Sequence, residues 1–91
     1  MNAITKDPDA ALDYGFDWSA WLQTGETITN SAWSVDDDSL TIDSDTHDDT
    51  STTVWLSGGT VRSYPYTVTN RITTSAGRID DRSFQVYVAE R

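Results

Sequence analysis

The stretch "DDDSLTIDSDTHDD" sets Asp36, Asp37, Asp38, Asp43, Asp45, Asp48 and Asp49 within fourteen residues. Carboxylates at that density are what a hard cation needs, since calcium takes about six to eight oxygen ligands. The order nevertheless lacks the central glycine and closing glutamate of an EF-hand loop. The stretch reads instead as a solvated acidic loop or as a face for a basic partner, and no metal or cofactor is expected. His47, the sole histidine, lies inside the cluster and reads as a surface residue. Catalysis requires a nucleophile beside a base, or two carboxylates at a set separation, in a pocket. The chain offers no supported Ser-His-Asp order, no glycine-rich phosphate loop and no His-Glu-x-x-His, so no catalytic residue and no enzyme are expected.

Two further groups could bind a partner. Trp18, Trp21 and Leu22 fall at i, i+3 and i+4, with Asp17 placed as an N-cap and Gly25 as a stop, which predicts one helical turn at most. The tryptophans there either cover one end of the core or form an aromatic patch for a partner or a sugar. The segment "TSAGRIDDR" is either a solvated hairpin tip, in which Arg78 and Arg82 offset Asp80 and Asp81, or a docking loop. Arg71 and Arg82 are placed for cross-strand ion pairs. The candidate partner-binding residues are Trp18, Trp21, Asp36, Asp37, Asp38, Arg78 and Arg82.

Charge supports surface binding over nucleic-acid recognition. The net charge is −9, where nucleic acid requires clustered Lys and Arg. Residues 1–50 hold twelve acids against Lys6, and residues 51–91 hold five arginines against three acids, or about −11 and +2. So many like charges repel within a fold, so the acids are expected to have few uses inside a monomer and to suit a basic docking surface. There is no cysteine, no apolar run of the roughly 20 residues that would span a bilayer, and no signal-like apolar stretch near Met1. These point to a soluble, cytosolically made protein that binds no membrane.

The elements that must position these groups read as strands. Residues 1–9 form an expected arm, ordered only if something holds it, and residues 10–91 one domain. "ALDYGFDW" puts Leu12, Tyr14 and Phe16 on one face. "ETITNSAWSV" changes phase between Ile28 and Trp33, which predicts a bulge near Asn30–Ser31. "SLTID" is a short strand with Leu40 and Ile42 inward, and "TTVWLSGG" sets Val54 and Leu56 opposite Trp55. The final hairpin puts Tyr66, Val68, Asn70 and Ile72 on one face, answered by Phe84, Val86 and Val88. Six or seven short strands with regular turn signals predict an all-β antiparallel sandwich.

"TTVWLSGG…YPYTVTNRITTSAGR" resembles the E-to-G region of immunoglobulin-like and fibronectin type III-like domains. The resemblance makes Tyr66 the corner tyrosine, its hydroxyl bonded to backbone in the preceding loop. Val68 then stands where antibody domains carry their second cysteine. The implied fold is an immunoglobulin-like antiparallel β-sandwich of six to seven strands with one short helical turn. Three longer segments, "KDPDAALDYGFDWSAWLQTGETITNSAW", "VWLSGG" and "TNRITTSAGRIDDRSFQVYVAER", together resemble small tailed-phage virion proteins described as fibre-tail adaptor or head–tail structural proteins. That resemblance implies a non-enzymatic virion protein, made in the bacterial host cytoplasm. It would bind capsid, tail or fibre proteins or copies of itself, as a fibre/tail adaptor or a head-associated docking module. Other readings are a capsid decoration protein, a calcium-stabilised interaction domain, and a carbohydrate-binding or adhesin module using Trp18, Trp21, Trp33, Trp55 and Tyr64.

Overall fold

Alternation with a period of two runs through most of the chain, and the structure, a computed structural model, resolves it into strands. It describes residues 2–90, so Met1 of the expected arm and Arg91 of the expected domain lie outside the described residues. The strands are β1 (Asn2–Lys6), β2 (Leu12–Asp17), β3 (Ile28–Val35), β4 (Leu40–His47), β5 (Ser51–Gly58), β6 (Tyr66–Thr74) and β7 (Ile79–Val88). One sheet has the order β1-β7-β6-β3 and the other β2-β5-β4. With β2 to β7 lettered B to G, the sheets are B-E-D and C-F-G, the immunoglobulin arrangement, with the first strand beside G. β1 runs parallel to β7, and every other pairing is antiparallel.

The hairpin β6–β7 has the expected faces. Tyr66, Val68, Asn70 and Ile72 are buried on β6, as are Phe84, Val86 and Val88 on β7. Its register sets Tyr66 opposite Val86 and Val68 opposite Phe84. These residues join Leu40, Val54 and Leu56 in the main core. A second cluster of Trp18, Ile28 and Ile72 fills one end. Phe16 links the two, stacked on Trp33 (5.9 Å between centroids) and edge-on to Trp18 and Phe84.

Three local expectations are refined. The segment after Asp17 is a single hydrogen-bonded turn, in which the Trp21 and Leu22 N–H groups both donate to the Trp18 carbonyl, and it does not propagate into a helix. The bulge falls between Ile28 and Asn30, one residue earlier than expected, and has the expected effect of turning Trp33 and Val35 toward the core. β4 runs on to His47, so Asp43 and Asp45 belong to a strand and not to a loop. An edge strand needs a partner on one side only, and charges and bulges there discourage pairing with another molecule. β4 is such an edge, with a register shift at Asp43.

Residues 2–6 are held. Ile4 packs on the main core, and the Lys6 ammonium, fully buried, donates to the carbonyls of Gly58 (2.7 Å) and Asp7 (2.8 Å). The first bond joins the end of β1 to the end of β5, across the two sheets. Burial lowers the Lys6 pKa, against the opposing pull of Asp7, Asp43 and Asp9.

Candidate docking surfaces at the two ends of the sandwich

Strands of up to ten residues span about 33 Å, so the 43 Å long dimension of the molecule runs along them. Loops 18–27, 48–50 and 75–78 therefore share one end, and loops 7–11, 36–39 and 59–65 the other. The structure brings Trp18, Trp21, Arg78 and Arg82 together at the first end and places Asp36, Asp37 and Asp38 at the second.

The first end is built around a residue that the sequence did not single out. Glu26 is buried, and its carboxylate accepts from Arg78 Nε (2.9 Å), Arg78 Nη2, Thr74 Oγ1 (2.5 Å) and the Gln23 N–H (2.9 Å). Those bonds, the two from Arg78 foremost, hold its pKa at about 2. The Arg78 guanidinium also lies 3.9 Å from the centre of the Trp21 ring and reaches the Trp21 carbonyl. The 18–27 turn and the hairpin tip are thereby locked to each other. Backbone bonds add the third loop, with Trp18 N–H donating to Thr50 and Ile28 N–H to Asp49, while Ser75 N–H donates to Thr27 and joins the first two.

Trp18 has no accessible surface, so it supports this end and does not contact anything outside it. Its indole N–H donates to Asn70 Oδ1 (3.1 Å), which also accepts from Thr52 Oγ1 (2.7 Å). The Asn70 amide nitrogen donates to Ser31 Oγ and the Ala32 carbonyl, so all four of its hydrogen-bonding capacities are used. That explains an asparagine on the inward face of β6. Arg82 lies over Trp18 (4.1 Å) and donates to the Asp17 carbonyl, while Arg71, not Arg82, forms a cross-strand ion pair, with Asp81 (2.8 Å).

At the second end Tyr66 is the corner residue. Its hydroxyl accepts from the Thr60 N–H (2.8 Å) and shares a hydrogen bond with Ser39 Oγ (2.5 Å). Gly59, at φ 98°, closes the preceding turn where a Cβ would meet Val88 at 2.7 Å. Arg62 lies between the Tyr66 and Tyr64 rings (3.6 and 4.2 Å), donates to the Tyr64 and Pro65 carbonyls, and pairs with Asp37 (2.9 Å). Asp37 also accepts from the Ser39 N–H, and Asp36 accepts from the Thr67 N–H. Ser39 foremost, then Arg62, holds the Asp37 carboxyl below its usual range.

The expectation that the acids have few uses inside the monomer is thus overturned for several of them. Asp36 and Asp37 tie loops to strands, and Asp48 accepts from Thr50 and Ser51 to close the β4–β5 turn. Short-range acceptors for loop N–H groups are what aspartate supplies in turns. Asp38 is exposed, as is His47.

The five aromatic residues considered as a sugar platform do not assemble into one. Trp18 is buried, Trp33 packs on the core, and Trp21 lies beneath Arg78. Trp55 and Tyr64 are exposed on different surfaces, the outer face of β5 and the 59–65 loop. A surface recess of about 290 Å³ is lined by Ala32, Trp33, Ser34, Thr69 and the Arg71–Asp81 pair. Among the described residues no group of three or more His, Asp or Glu is disposed to hold a metal ion.

Fold and site together define an immunoglobulin-like sandwich whose distinctive groups sit on its ends and faces. Residues 6–87 match the family described as podophage GP4 fiber-tail adaptor protein gp77, and the chain belongs to that family of phage structural proteins. A search of curated proteins found no match.

Proposed function

We infer that the chain is a non-enzymatic virion protein that joins a fibre to the tail through protein–protein contacts. It is made in the host cytoplasm and assembled onto the particle. The observation that carries this reading beyond family membership is the clamp of Arg78 on Glu26 and Trp21. It fixes the shape of the end loops before any partner arrives, which lowers the ordering cost of association. Tryptophan and arginine are also the residue types that dominate binding energy at interfaces. Trp21, Arg78 and Arg82 form the docking group at that end, with Trp18 beneath them. Asp36, Asp37 and Asp38 present the opposite end to a basic surface on the second partner.

Particles made without this protein test the reading. They are expected to have filled heads and complete tails but no fibres in electron micrographs. Supplying the Trp21→Ala variant in its place should restore fewer fibres than the wild-type chain. Fibres present at normal number on particles lacking the protein would overturn the adaptor role. Fragile heads on such particles would favour the capsid decoration reading.

A further inference from the structure

The fold twice sets an arginine against an aromatic ring and a carboxylate: Arg78 with Trp21 and Glu26, and Arg62 with Tyr66 and Asp37. The same ring and carboxylates recur a third time, without the arginine, on the outer face of the β2-β5-β4 sheet. Trp55 is the centre of that face, 43% exposed on the middle strand. Its cross-strand neighbour on β2 is Asp13. On its other side Asp43 accepts a hydrogen bond from Ser57 Oγ (3.0 Å), and Ser57 lies two residues along β5 on the same face as Trp55. Adjacent strands are about 4.8 Å apart, so Asp13 lies beside the indole on β2, while on β4 Ser44 is opposite it and Asp43, at the register shift, lies diagonally across.

No strand of this sheet contains a lysine or an arginine. Lys6 feels the field of Asp43, but its ammonium is buried and committed to the Gly58 and Asp7 carbonyls. Gly15, on the same face of β2, leaves the neighbouring position without a side chain. The rest of the face is Ser and Thr, with Asp17 at the far end of β2, and none of these repels a cation.

We propose that this face is a docking site for an arginine-bearing protein surface, one guanidinium of which stacks on Trp55 between Asp13 and Asp43. Exposed carboxylates alone would accept lysine equally well. The indole selects arginine, because a planar guanidinium stacks on a ring while donating in its own plane to carboxylates. A second copy of this chain is a poor occupant. Among the described residues, its Arg62, Arg71 and Arg78 already hold internal ion pairs, and Arg82 is stacked on Trp18. The arginine is recognised by this surface whether it is carried by the fibre protein or by the tail protein.

The test is a titration of the full chain, nitrogen-15 labelled, with a hexa-arginine peptide, and separately with hexalysine. Resolved shifts of the four tryptophan indole N–H groups report the position of binding. The Trp55 indole and the Asp13 and Ser44 amides should move together and saturate, and Trp21 should stay. Hexa-arginine should bind several-fold more tightly than hexalysine. Asp13→Asn with Asp43→Asn should weaken hexa-arginine about fivefold. Trp55→Ala, compared with wild type at a temperature where both are folded, should abolish the preference for arginine. Shifts centred on Asp36–Asp38 with Trp55 unmoved would overturn the proposal, as would equal binding of the two peptides. It would also be overturned if Trp55 responded to protein concentration alone, or to neutral maltohexaose and not to arginine.

Discussion

The two ends of the sandwich both use an arginine, a ring and a carboxylate, but they bury opposite partners. At the Trp21 end the Glu26 side chain is 3% exposed and that of Arg78 36%; at the Tyr66 end Arg62 is 13% exposed and Asp37 43%. The difference decides which deletion is costly. Arg78 and Asp37 are each the more exposed partner of a buried charge, so the cost of removing either turns on how many other bonds the buried group keeps. Glu26 depends on Arg78 for two of its four bonds. Arg62 keeps two carbonyls and two rings whatever happens to Asp37. The first end is therefore a clamp whose loss should loosen two loops, and the second is a corner that tolerates loss of its charge.

The upper limit of the scale is set by the core that both ends share. Val68→Asp places an unpaired charge opposite Phe84 in the centre of the main core. It should cost more than about 3 kcal/mol. A variant melting within a few degrees of wild type would show the β6–β7 register to be wrong. Arg78→Ala comes next, with melting lowered by about 10 °C. Thermal denaturation beside Asp37→Asn, which should lose only a few degrees, measures the asymmetry directly, and equal losses would break the comparison.

Acid sharpens the same contrast. Glu26 has a folded pKa of about 2, below its usual 4.5. A depressed carboxyl pKa contributes stability that is complete above the unfolded value and lost as pH falls through the folded one. A carboxyl titration followed by NMR should therefore give Glu26 a midpoint near 2. In Arg78→Ala that midpoint should move up toward the ordinary range, and the loss of melting temperature between pH 4.5 and pH 2 should shrink.

At the Tyr66 end, Tyr66→Phe removes the acceptor for the Thr60 N–H and the partner of Ser39 while keeping the ring under Arg62. It should cost about 1–2 kcal/mol by denaturant unfolding. A neutral result would remove the corner role from this hydroxyl. The smallest effect is expected from replacing Asp36, Asp37 and Asp38 together with Asn. Asparagine oxygens can still accept from Thr67 and Ser39, and one ion pair is exchanged for reduced repulsion. Melting should shift by no more than a few degrees in either direction.

What the sequence disclosed follows the range of the interactions. Alternation along β5, β6 and β7 and the reversal of phase in β3 are local signals, and each located its face correctly, whereas the corner tyrosine follows from the resemblance to immunoglobulin-like domains. β4 extends beyond its sequence signal because acid-rich segments have poor strand preference, and only its position at a sheet edge makes them acceptable. Glu26 carried no local mark, since its meaning depends on Arg78, 52 residues away. Lys6 is the same case: the carbonyl it binds at Gly58 is also 52 residues distant. The parallel seat of β1 on β7 joins the two extremes of the described chain. Of the seven candidate binding residues, Arg78 was recognisable as part of a loop but not as a clamp. Trp18 was recognisable as either lid or patch, and only burial decided between them.

The most direct test of the adaptor account is a reconstruction of the intact particle at side-chain resolution. Copies of this chain should follow the low symmetry of the tail, with the Trp21–Arg78 end against one protein and a different protein on another of its surfaces. Copies arrayed on the capsid lattice, each touching capsid protein alone, would contradict it.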